Sequence, residues 1–440
     1  MPPTVVNITF VYKLNRMLQI NLIREQKDEV IARLAVKNFD ARELIEKVLE
    51  TDSARRTTQS ELDNLLAAQN TLAKQVGDLF KSGKQAEAND LKNKSTALKE
   101  ESKQLSDRLN DLEKEMNDIL VKLPNMPSVE VPKGKTPEDN EVVFQSVQNL
   151  PEMGNDALPH WELAAKYNLI DFELGVKLTG AGFPVYKGKG ARLQRALINF
   201  FLDRATAAGY HEVQPPIMVN EDSGFGTGQL PDKEGQMYHV GIDNLYLIPT
   251  AEVPVTNIYR DEIVKSDDLP IKMTAYTPCF RREAGSYGKD VRGLNRLHQF
   301  DKIEIVQIAH PAQSYNILED MRQYVAGLIG ELELPFRTLK LCGGDMSFAS
   351  ALTYDMEVYS AAQKRWLEVS SVSNFETFQA NRLKLRYREG SAKPVLAHTL
   401  NGSALALPRI VAALLENHQS AEGIRIPAAL VPYTGFDLIN

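Results

Sequence analysis

The segment from residue 41 to residue 123 carries a heptad pattern that leaves this chain little choice of local structure. It contains no proline, and the a and d positions of its first half hold Leu65, Gln69, Leu72, Val76 and Leu79. In its second half a sevenfold repeat runs through Leu91, Leu98, Leu105, Leu112 and Ile119. This spacing is typical of long helices that pair along an apolar seam.

One break interrupts the pattern, at residues 81–85, where Gly83 can adopt the turn that two antiparallel helices require. The segment is therefore predicted to form a helical hairpin, with helices about 60 Å long at roughly 1.5 Å per residue. Helices of that length must project from a globular body. The pattern alone leaves two interpretations open, a rod for dimerisation and an arm that reaches a large partner.

Four regions follow from the changes in composition along the chain. Residues 1–16 are interpreted as an extension or as the result of a misplaced start, with Met17 as a second start, and residues 17–123 as the arm, with its tip near 81–88. The proline-rich residues 124–140 are predicted to be a linker. Residues 141–440 are predicted to be an α+β domain of antiparallel strands and flanking helices, with strands at 300–308 and 337–341 and helices at 191–209 and 403–419.

Charge and cysteine content exclude several classes of protein. A net charge of −7 excludes a polycation that binds nucleic acid by bulk charge, although a local basic stripe remains compatible with RNA. Two cysteines, Cys279 and Cys342, exclude a disulfide framework and a zinc site built on cysteine pairs, and they suit the reducing cytoplasm. No apolar run approaches the roughly 20 residues of a membrane span. The acid-free first residues could alternatively be a targeting segment, but no cleavage site follows them.

A basic, glycine-containing loop at residues 277–300 is the first candidate for chemistry. If its leading strand continues, Arg281 and Glu283 lie on one face. Arginine can grip a phosphate with two hydrogen bonds, and a carboxylate can accept from an exocyclic amine such as that of adenine. Seen alone, an Arg-X-Glu sequence is also an ordinary surface ion pair.

Several motifs in order resemble those of the seryl-tRNA synthetases, a class II family of aminoacyl-tRNA synthetases. FRREAG with RGLNRLHQF resembles motif 2 (about residues 272–307), and GYHEVQPPIMVN resembles the end of motif 1 (about 191–220). IPTAEVPVTN and GTGQLP are similar to the stretches that shape the family's serine pocket. EVSSVSNFETFQANRLKLRYR and TLNGSALALPR are similar to the strand pair and motif 3 (about 398–419) that complete its ATP site.

The resemblance implies a class II catalytic domain with an N-terminal coiled-coil arm that binds tRNA. It implies the ATP-dependent ligation of L-serine to tRNA(Ser) through a seryl-adenylate, with release of AMP and pyrophosphate. Charging of tRNA(Sec) is left open. The cofactors implied are ATP and Mg²⁺ without structural zinc, in a cytoplasmic homodimer that does not bind membranes.

The resemblance also assigns roles to individual residues. The catalytic residues would be Arg281, Glu283 and Arg409, and the ATP-binding residues Arg281, Arg282, Glu283, Leu297, Phe300, Glu368, Val369, Ser370, Ser371 and Arg409. Serine would be bound by Thr250, Ala251, Glu252, Arg281, Glu304, Asn401 and Ser403. Mg²⁺ would be held by Glu368 and Ser371. The candidate tRNA contacts on the arm are Arg55, Arg56, Lys74, Lys81, Lys84, Lys92 and Lys94.

Two departures from the family pattern lie in motif 3, where Ala404 and Pro408 stand at positions usually held by glycine. They put the backbone near the nucleotide in doubt, and Pro408 requires the helix to start close by. Two other classes of protein predict different features. A catalytically silent paralogue that binds RNA should have lost the motif arginines, and a ligase for a carrier protein should lack the arm. This chain keeps both features.

Overall fold

The computed structural model describes residues 18, 20–154, 156–232, 235–283 and 292–440. The described residues form two compact units, Leu18–Met126 and Pro127–Asn440. The division falls three residues after the predicted end of the arm, so residues 124–126 of the predicted linker lie in the first unit and residues 127–140 in the second. Residues 1–16, which are interpreted as an extension or a misplaced start, lie outside the described residues. So does the tip of the basic loop, residues 284–291.

Four helices make up the N-terminal unit: α1 (Ile20–Glu25), α2 (Lys27–Val36), α3 (Arg42–Lys81) and α4 (Gln85–Leu120). The predicted hairpin is confirmed, because α3 and α4 are joined by a turn in which Gly83 has φ +76°. One polar residue of the heptad pattern, Gln69, is used across the seam. Its Nε2 donates to the Leu98 carbonyl at 2.6 Å and to Ser102 Oγ at 2.9 Å.

The base of the hairpin holds a core that the heptad pattern does not reveal. Ile23 and Leu34 from α1 and α2 are fully buried with Ile45 from α3 and Leu123. The carboxylate of Asp52 is also fully buried there, within 3.3 Å of guanidinium nitrogens of Arg24, Arg55 and Arg56. The two short helices thus close the base of the arm by burying apolar surface.

The second unit mixes helices and strands, as predicted. Its helices are α5 (His160–Lys166), α6 (Phe172–Leu178), α7 (Gly188–Ala207), α8 (Glu221–Thr227), α9 (Glu252–Asn257), α10 (Ser314–Glu331), α11 (Phe378–Leu383), α12 (Leu407–Asn417) and α13 (Val431–Thr434). Its strands are β1 (Glu141–Gln145), β2 (Ile170–Asp171), β3 (Val185–Tyr186), β4 (His211–Glu212), β5 (Met218–Val219), β6 (His239–Val240), β7 (Leu245–Leu247), β8 (Ile263–Lys265), β9 (Ile271–Phe280), β10 (Gln299–Ala309), β11 (Phe336–Lys340), β12 (Leu352–Ser360), β13 (Arg365–Glu376), β14 (Arg386–Arg388), β15 (Val395–Leu396), β16 (His398–Ala406), β17 (Ile424–Arg425) and β18 (Leu438–Ile439).

An eight-stranded sheet organises this unit, in the order β1-β11-β12-β13-β16-β10-β9-β4. Every neighbouring pair is antiparallel except β4 and β9, so the predicted antiparallel sheet is confirmed. Helix α7 packs on β9 and β10, and α12 packs on β10, β12, β13 and β16. Buried apolar side chains of α7, among them Phe200 and Phe201, fill the layer between helix and sheet.

The structure corrects one predicted helix. Residues 403–406, expected to begin a helix that ends at 419, are the end of strand β16, and α12 starts at Leu407. The reason is local, because Pro408 lacks the amide hydrogen that a helix interior needs and is accommodated only in a first turn. Ala404 is fully buried on β16. None of the helices in the described part of the chain is long and apolar enough to span a membrane.

Candidate active site

A long hairpin of β9 and β10 carries the two ends of the basic loop. The strand expected to continue through Glu283 ends at Phe280, and Glu283 has φ +49°. The condition under which Arg281 and Glu283 would share one face of a strand is therefore not met. The guanidinium of Arg281 lies over the ring of Phe300, 5.3 Å from its centroid, and Arg296 Nη1 donates to Glu283 Oε2 at 3.0 Å.

The base of this hairpin offers a flat aromatic surface beside a fixed cation. Phe300 pairs with Cys279 in the register of β9 and β10, and Leu297 next to the strand is buried. Arg281 is tied at both ends, since its amide donates to the His298 carbonyl at 2.9 Å and its Nε to the Pro249 carbonyl at 3.4 Å. The neighbouring Arg282 amide donates to the Gln236 carbonyl. Such a surface can stack a base and hold a phosphate.

A buried polar pocket lies next to Pro249. The register of β10 and β16 places Glu304 opposite Ser403 and Val306 opposite Asn401. Thr250 Oγ1 donates to Glu304 Oε2 at 2.9 Å. All four polar residues of this group, Thr250, Glu304, Asn401 and Ser403, are less than a tenth exposed. Sequence positions more than 150 residues apart thus meet in one buried polar cluster.

Lys302 is a member of this pocket that sequence reasoning missed. Its Nζ donates to Thr250 Oγ1 at 2.8 Å and lies 2.6 Å from Glu304 Oε2, and the residue is 6% exposed. Its position two residues before Glu304 on β10 was the available signal, because alternate residues of a strand share a face.

Glu252, the first residue of α9, supplies a second buried carboxyl group, and Ala251 beside it is fully buried. Burial first and the charge of Glu304 second raise the pKa of Glu252 to about 7, against the opposing effect of Lys302. Gln379, also missed from the sequence, donates from Nε2 to Glu252 Oε1 and accepts from Thr399 Oγ1 at 2.7 Å. Two carboxyl groups against one ammonium leave this pocket able to bind a small cation that carries hydrogen-bonding groups.

Strand β13 presents Glu368 and Ser371 through an irregularity in its pairing. Residues three apart on a regular strand face opposite sides of the sheet. Here Met356 pairs with Ser370 and Glu357 pairs with Glu368, so Val369 is an extra residue in a β-bulge. Val369 and Ser370 are both buried, whereas Glu368 is exposed and Ser371 is half-buried. The bulge thereby brings two oxygen-bearing side chains to one face.

Arg409 in the first turn of α12 joins β13 to the basic loop. Its Nη1 donates to the Glu368 carbonyl at 2.7 Å, and its Nε donates to the Asn295 carbonyl at 3.2 Å. Opposite Ser371 on β12, Asp355 accepts from Ser371 Oγ at 2.6 Å. Burial, and then the charge of Glu368, raise the pKa of Asp355 well above its usual value. Asp355 and Glu368 therefore lie near each other, and Arg409 lies beside Glu368.

Comparison with known proteins identifies the family to which a chain with these groups belongs. Residues 17–127 match the seryl-tRNA synthetase N-terminal domain, and residues 238–418 match the class II tRNA synthetase core domain (G, H, P, S and T). A serine–tRNA ligase from Salinibacter ruber is 51% identical over 96% of this chain and 99% of its own length. The chain belongs to the seryl-tRNA synthetase family. A serine–tRNA ligase from Chlorobium luteolum is 48% identical over similar shares.

Solved structures of the seryl-tRNA synthetase family agree with the fold. The seryl-tRNA synthetase of Pyrococcus horikoshii, complexed with ATP, is 33% identical, with a TM-score of 0.90 over 96% of this chain and 99% of that one. The cytoplasmic serine–tRNA ligase of Naegleria fowleri, in complex with AMP, is 26% identical, with a TM-score of 0.85 over 97% and 99%. The family and ligase class expected from the motifs are therefore confirmed, together with the class II fold and its helical arm.

The arm residues expected to contact tRNA divide into two groups in this member of the seryl-tRNA synthetase family. Arg55 and Arg56 are paired with the buried Asp52, and Lys84 is paired with Glu87 at 3.1 Å. The remaining candidates are exposed on α3 and α4: Lys74, Lys81, Lys92 and Lys94. Their contact with tRNA stays a prediction.

Proposed function

We propose that this chain activates L-serine with ATP and transfers the seryl group to tRNA(Ser). The observation that carries the proposal is the buried pocket of Thr250, Lys302 and Glu304, which Pro249 connects to Arg281 and Phe300. Arg281 Nε donates to the carbonyl of Pro249, the residue before Thr250, so one short segment borders both the pocket and the aromatic surface. An amino acid and a nucleotide would therefore meet there.

In the proposed first step the serine carboxylate attacks the α-phosphorus of ATP, and pyrophosphate leaves. Holding two anions together and balancing the extra charge of the transition state matter more than proton transfer. Arg281 is assigned to the α-phosphate and Arg409 to the γ-phosphate. Glu283 would accept from the adenine amine, with Phe300 beneath the base and the backbone of Leu297 beside it.

Glu252 and Glu304 would hold the serine ammonium and hydroxyl groups, with Thr250, Asn401 and Ser403 around them. Lys302 would pair with Glu304 in the absence of substrate. In the second step a ribose hydroxyl at the tRNA end attacks the carbonyl of seryl-adenylate, the new ester forms and AMP leaves.

The donor set on β13 suits a divalent cation. Glu368 and Ser371 offer hard oxygen atoms on one face. The pKa of Asp355 is raised first by burial and then by the charge of Glu368, and a cation would offset that charge. Glu368 and Ser371 are therefore assigned to Mg²⁺, which would neutralise phosphate charge on ATP. Arg409 would lie beside it through its contact with the Glu368 carbonyl.

The remaining partners follow from family membership. The arm formed by α3 and α4 is assigned to the shape and phosphates of tRNA(Ser), which suits the recognition of structured RNA. A structure described as Aquifex aeolicus tRNASec in complex with Methanopyrus kandleri SerRS is 20% identical and shares the fold alone, and tRNA(Sec) stays an open second substrate. We place the enzyme in the cytoplasm as a homodimer that pairs through motif 1.

An ATP–pyrophosphate exchange assay across amino acids tests the proposal most directly. We expect serine to stimulate exchange far above alanine, cysteine and glycine, because a site that hydrogen-bonds a hydroxyl rejects analogues that lack it by about 10⁴. Threonine carries the hydroxyl, and we expect the shape of the pocket to exclude it. Arg281→Ala should remove the serine-dependent signal and serves as the negative control. Exchange that ignores serine would favour the silent RNA-binding paralogue.

A further inference from the structure

A fully buried histidine, His160, connects two elements of the ATP site without belonging to it. It is the first residue of α5, and its Nδ1 lies 2.7 Å from Glu416 Oε1 on α12. Its Nε2 accepts the amide hydrogen of Leu294 at 2.8 Å. Leu294 lies in the part of the basic loop that leads into β10. The imidazole of His160 thus hydrogen-bonds both to α12 and to this part of the loop.

The two contacts determine which ring nitrogen of His160 carries the hydrogen. Nε2 accepts from an amide and carries no hydrogen, so Nδ1 carries the hydrogen and donates it to Glu416. Burial would raise the pKa of Glu416, but the hydrogen bonds from His160 and Ser360 outweigh it and hold that pKa below its usual value. The His160 backbone amide also donates to Glu416 Oε1, at 2.8 Å. Donors from His160 and Ser360 therefore fix the carboxylate that orients the imidazole.

The fit around the ring is close on the side of the loop. Gly293 has φ +62°, and a Cβ added there would come within 2.2 Å of His160 Nε2. A second path runs beside the first, because Gln363 Nε2 donates to Glu416 Oε1 at 2.8 Å and Asn295 Nδ2 donates to Gln363 Oε1 at 3.3 Å. Glu416 is thus connected to both Leu294 and Asn295.

One of these two loop residues, Asn295, is also held by Arg409. Arg409 and Glu416 are seven positions apart on α12, about two helical turns, so they share a face. Arg409 grips the Asn295 carbonyl directly at 3.2 Å, and Glu416 reaches the adjacent Leu294 amide through His160. Helix α12 therefore holds this segment at two points, one of which carries the guanidinium assigned to ATP.

We propose that His160 is a positioning residue for ATP, which sets the backbone at Leu294 and Asn295 and thereby the guanidinium of Arg409. The inference rests on the proposed function and names a residue to which no ATP contact is assigned. The simpler alternative is a histidine with satisfied hydrogen bonds that contributes to stability only. The two differ in kinetics, since a positioning residue for ATP changes the use of ATP and leaves the serine pocket alone.

The test compares His160→Leu with a matched control, His418→Leu. His418 is also a buried histidine next to α12, but its Nε2 faces the Leu332 carbonyl at 3.1 Å, away from the loop. Both variants should lower the melting temperature. In serine-dependent exchange, His160→Leu should raise the KM for ATP by about tenfold or more, since small misplacements are costly. The KM for serine should stay within about twofold in both variants.

Hydrogen exchange supplies a readout that does not depend on turnover. The peptide covering residues 292–300 should exchange faster in His160→Leu and at the wild-type rate in His418→Leu, because only the first variant frees the Leu294 amide. If His160→Leu does not fold, Gly293→Ala perturbs the same contact from the loop side and should show the same rise in the KM for ATP.

An unchanged KM for ATP in a folded His160→Leu or Gly293→Ala variant would overturn the inference and make His160 a core residue only. A wild-type protein without serine-dependent exchange would contradict the proposed function instead, so the two failures are distinguishable.

Discussion

At the scale of single residues, the pocket assigned to serine contains two buried carboxyl groups, Glu252 and Glu304, that favour a ligand able to pair with them. Glu252 is 8% exposed and Glu304 is 2% exposed, so water can solvate neither of them well. Lys302 compensates one of the two charges and leaves the other for a ligand. Burial first, and the charge of Glu304 second, raise the pKa of Glu252 from 4.5 to about 7.

The raised pKa gives a pH dependence of defined sign. A carboxyl group whose folded-state pKa lies above its unfolded value stabilises the fold below pH 4.5, and this contribution is lost as pH rises through about 7. When serine binds, its ammonium group should pair with the ionised carboxylate of Glu252 and should recover the stability that is lost as pH rises. Between pH 6 and pH 8 the ionised fraction rises from about a tenth to about nine tenths, so the KM for serine in exchange should fall about tenfold.

The control for this pH series is the pair Glu252→Gln and Glu422→Gln. Glu252→Gln should weaken serine binding and flatten the profile, whereas the exposed Glu422 should be replaceable without effect. A wild-type KM for serine that does not change across this range would contradict the assignment of Glu252.

At the scale of secondary-structure elements, irregularities place the functional groups. The bulge at Val369 turns Glu368 and Ser371 to one face of β13, and the early end of β9 frees Arg281 to lie over Phe300. In the N-terminal unit, α1 and α2 close the base of the hairpin. There the carboxylate of Asp52 holds arginines from α1 and α3 together.

Asp52→Asn should loosen the base of the arm. The neutral amide would leave three guanidinium groups without a counter-charge, and because these arginines are 22–52% exposed, water would take up part of the loss. We expect a destabilisation of about 1–3 kcal/mol. It is measured as faster hydrogen exchange in α1 and in the first turns of α3. The matched control, Asp78→Asn, changes an exposed residue of the same helix and should leave exchange at the base unaltered.

At the scale of the whole molecule, the division into two units separates the arm from the reacting groups. Every residue assigned to ATP or serine lies between residues 250 and 409, inside Pro127–Asn440, and the predicted tRNA contacts lie in Leu18–Met126. Recognition of RNA and activation of serine should therefore be separable by deletion.

Removal of residues 59–107, with a short glycine linker from Thr58 to Arg108, tests that separation. The deletion removes the outer part of α3 and α4 and leaves the buried base. We expect serine-dependent ATP–pyrophosphate exchange within about twofold of wild type and no measurable serylation of tRNA(Ser), since the contacts to RNA phosphates are lost. Full charging by the shortened chain would show that the arm has no role in tRNA recognition.

The sequence by itself determined what depends on local periodicity and on short motifs. The heptad repeat and Gly83 specify the hairpin, alternation specifies β10 and β11, and Pro408 limits the start of α12. The motif resemblance named Thr250, Glu304 and Arg281, which the structure places in and beside one pocket. These features are predictable because each is encoded within a window of a few turns or a few strand residues.

Only the tertiary structure decided which distant residues meet. Lys302 reaches Thr250 across 52 positions, Gln379 reaches Glu252 across 127, and His160 reaches Glu416 across 256. No local pattern contains these pairs, because strand register and helix packing are properties of the assembled sheet. The bulge at Val369 and the burial of Asp52 belong to the same class. Their physical reason is that desolvation and hydrogen-bond geometry arise only when separate elements pack.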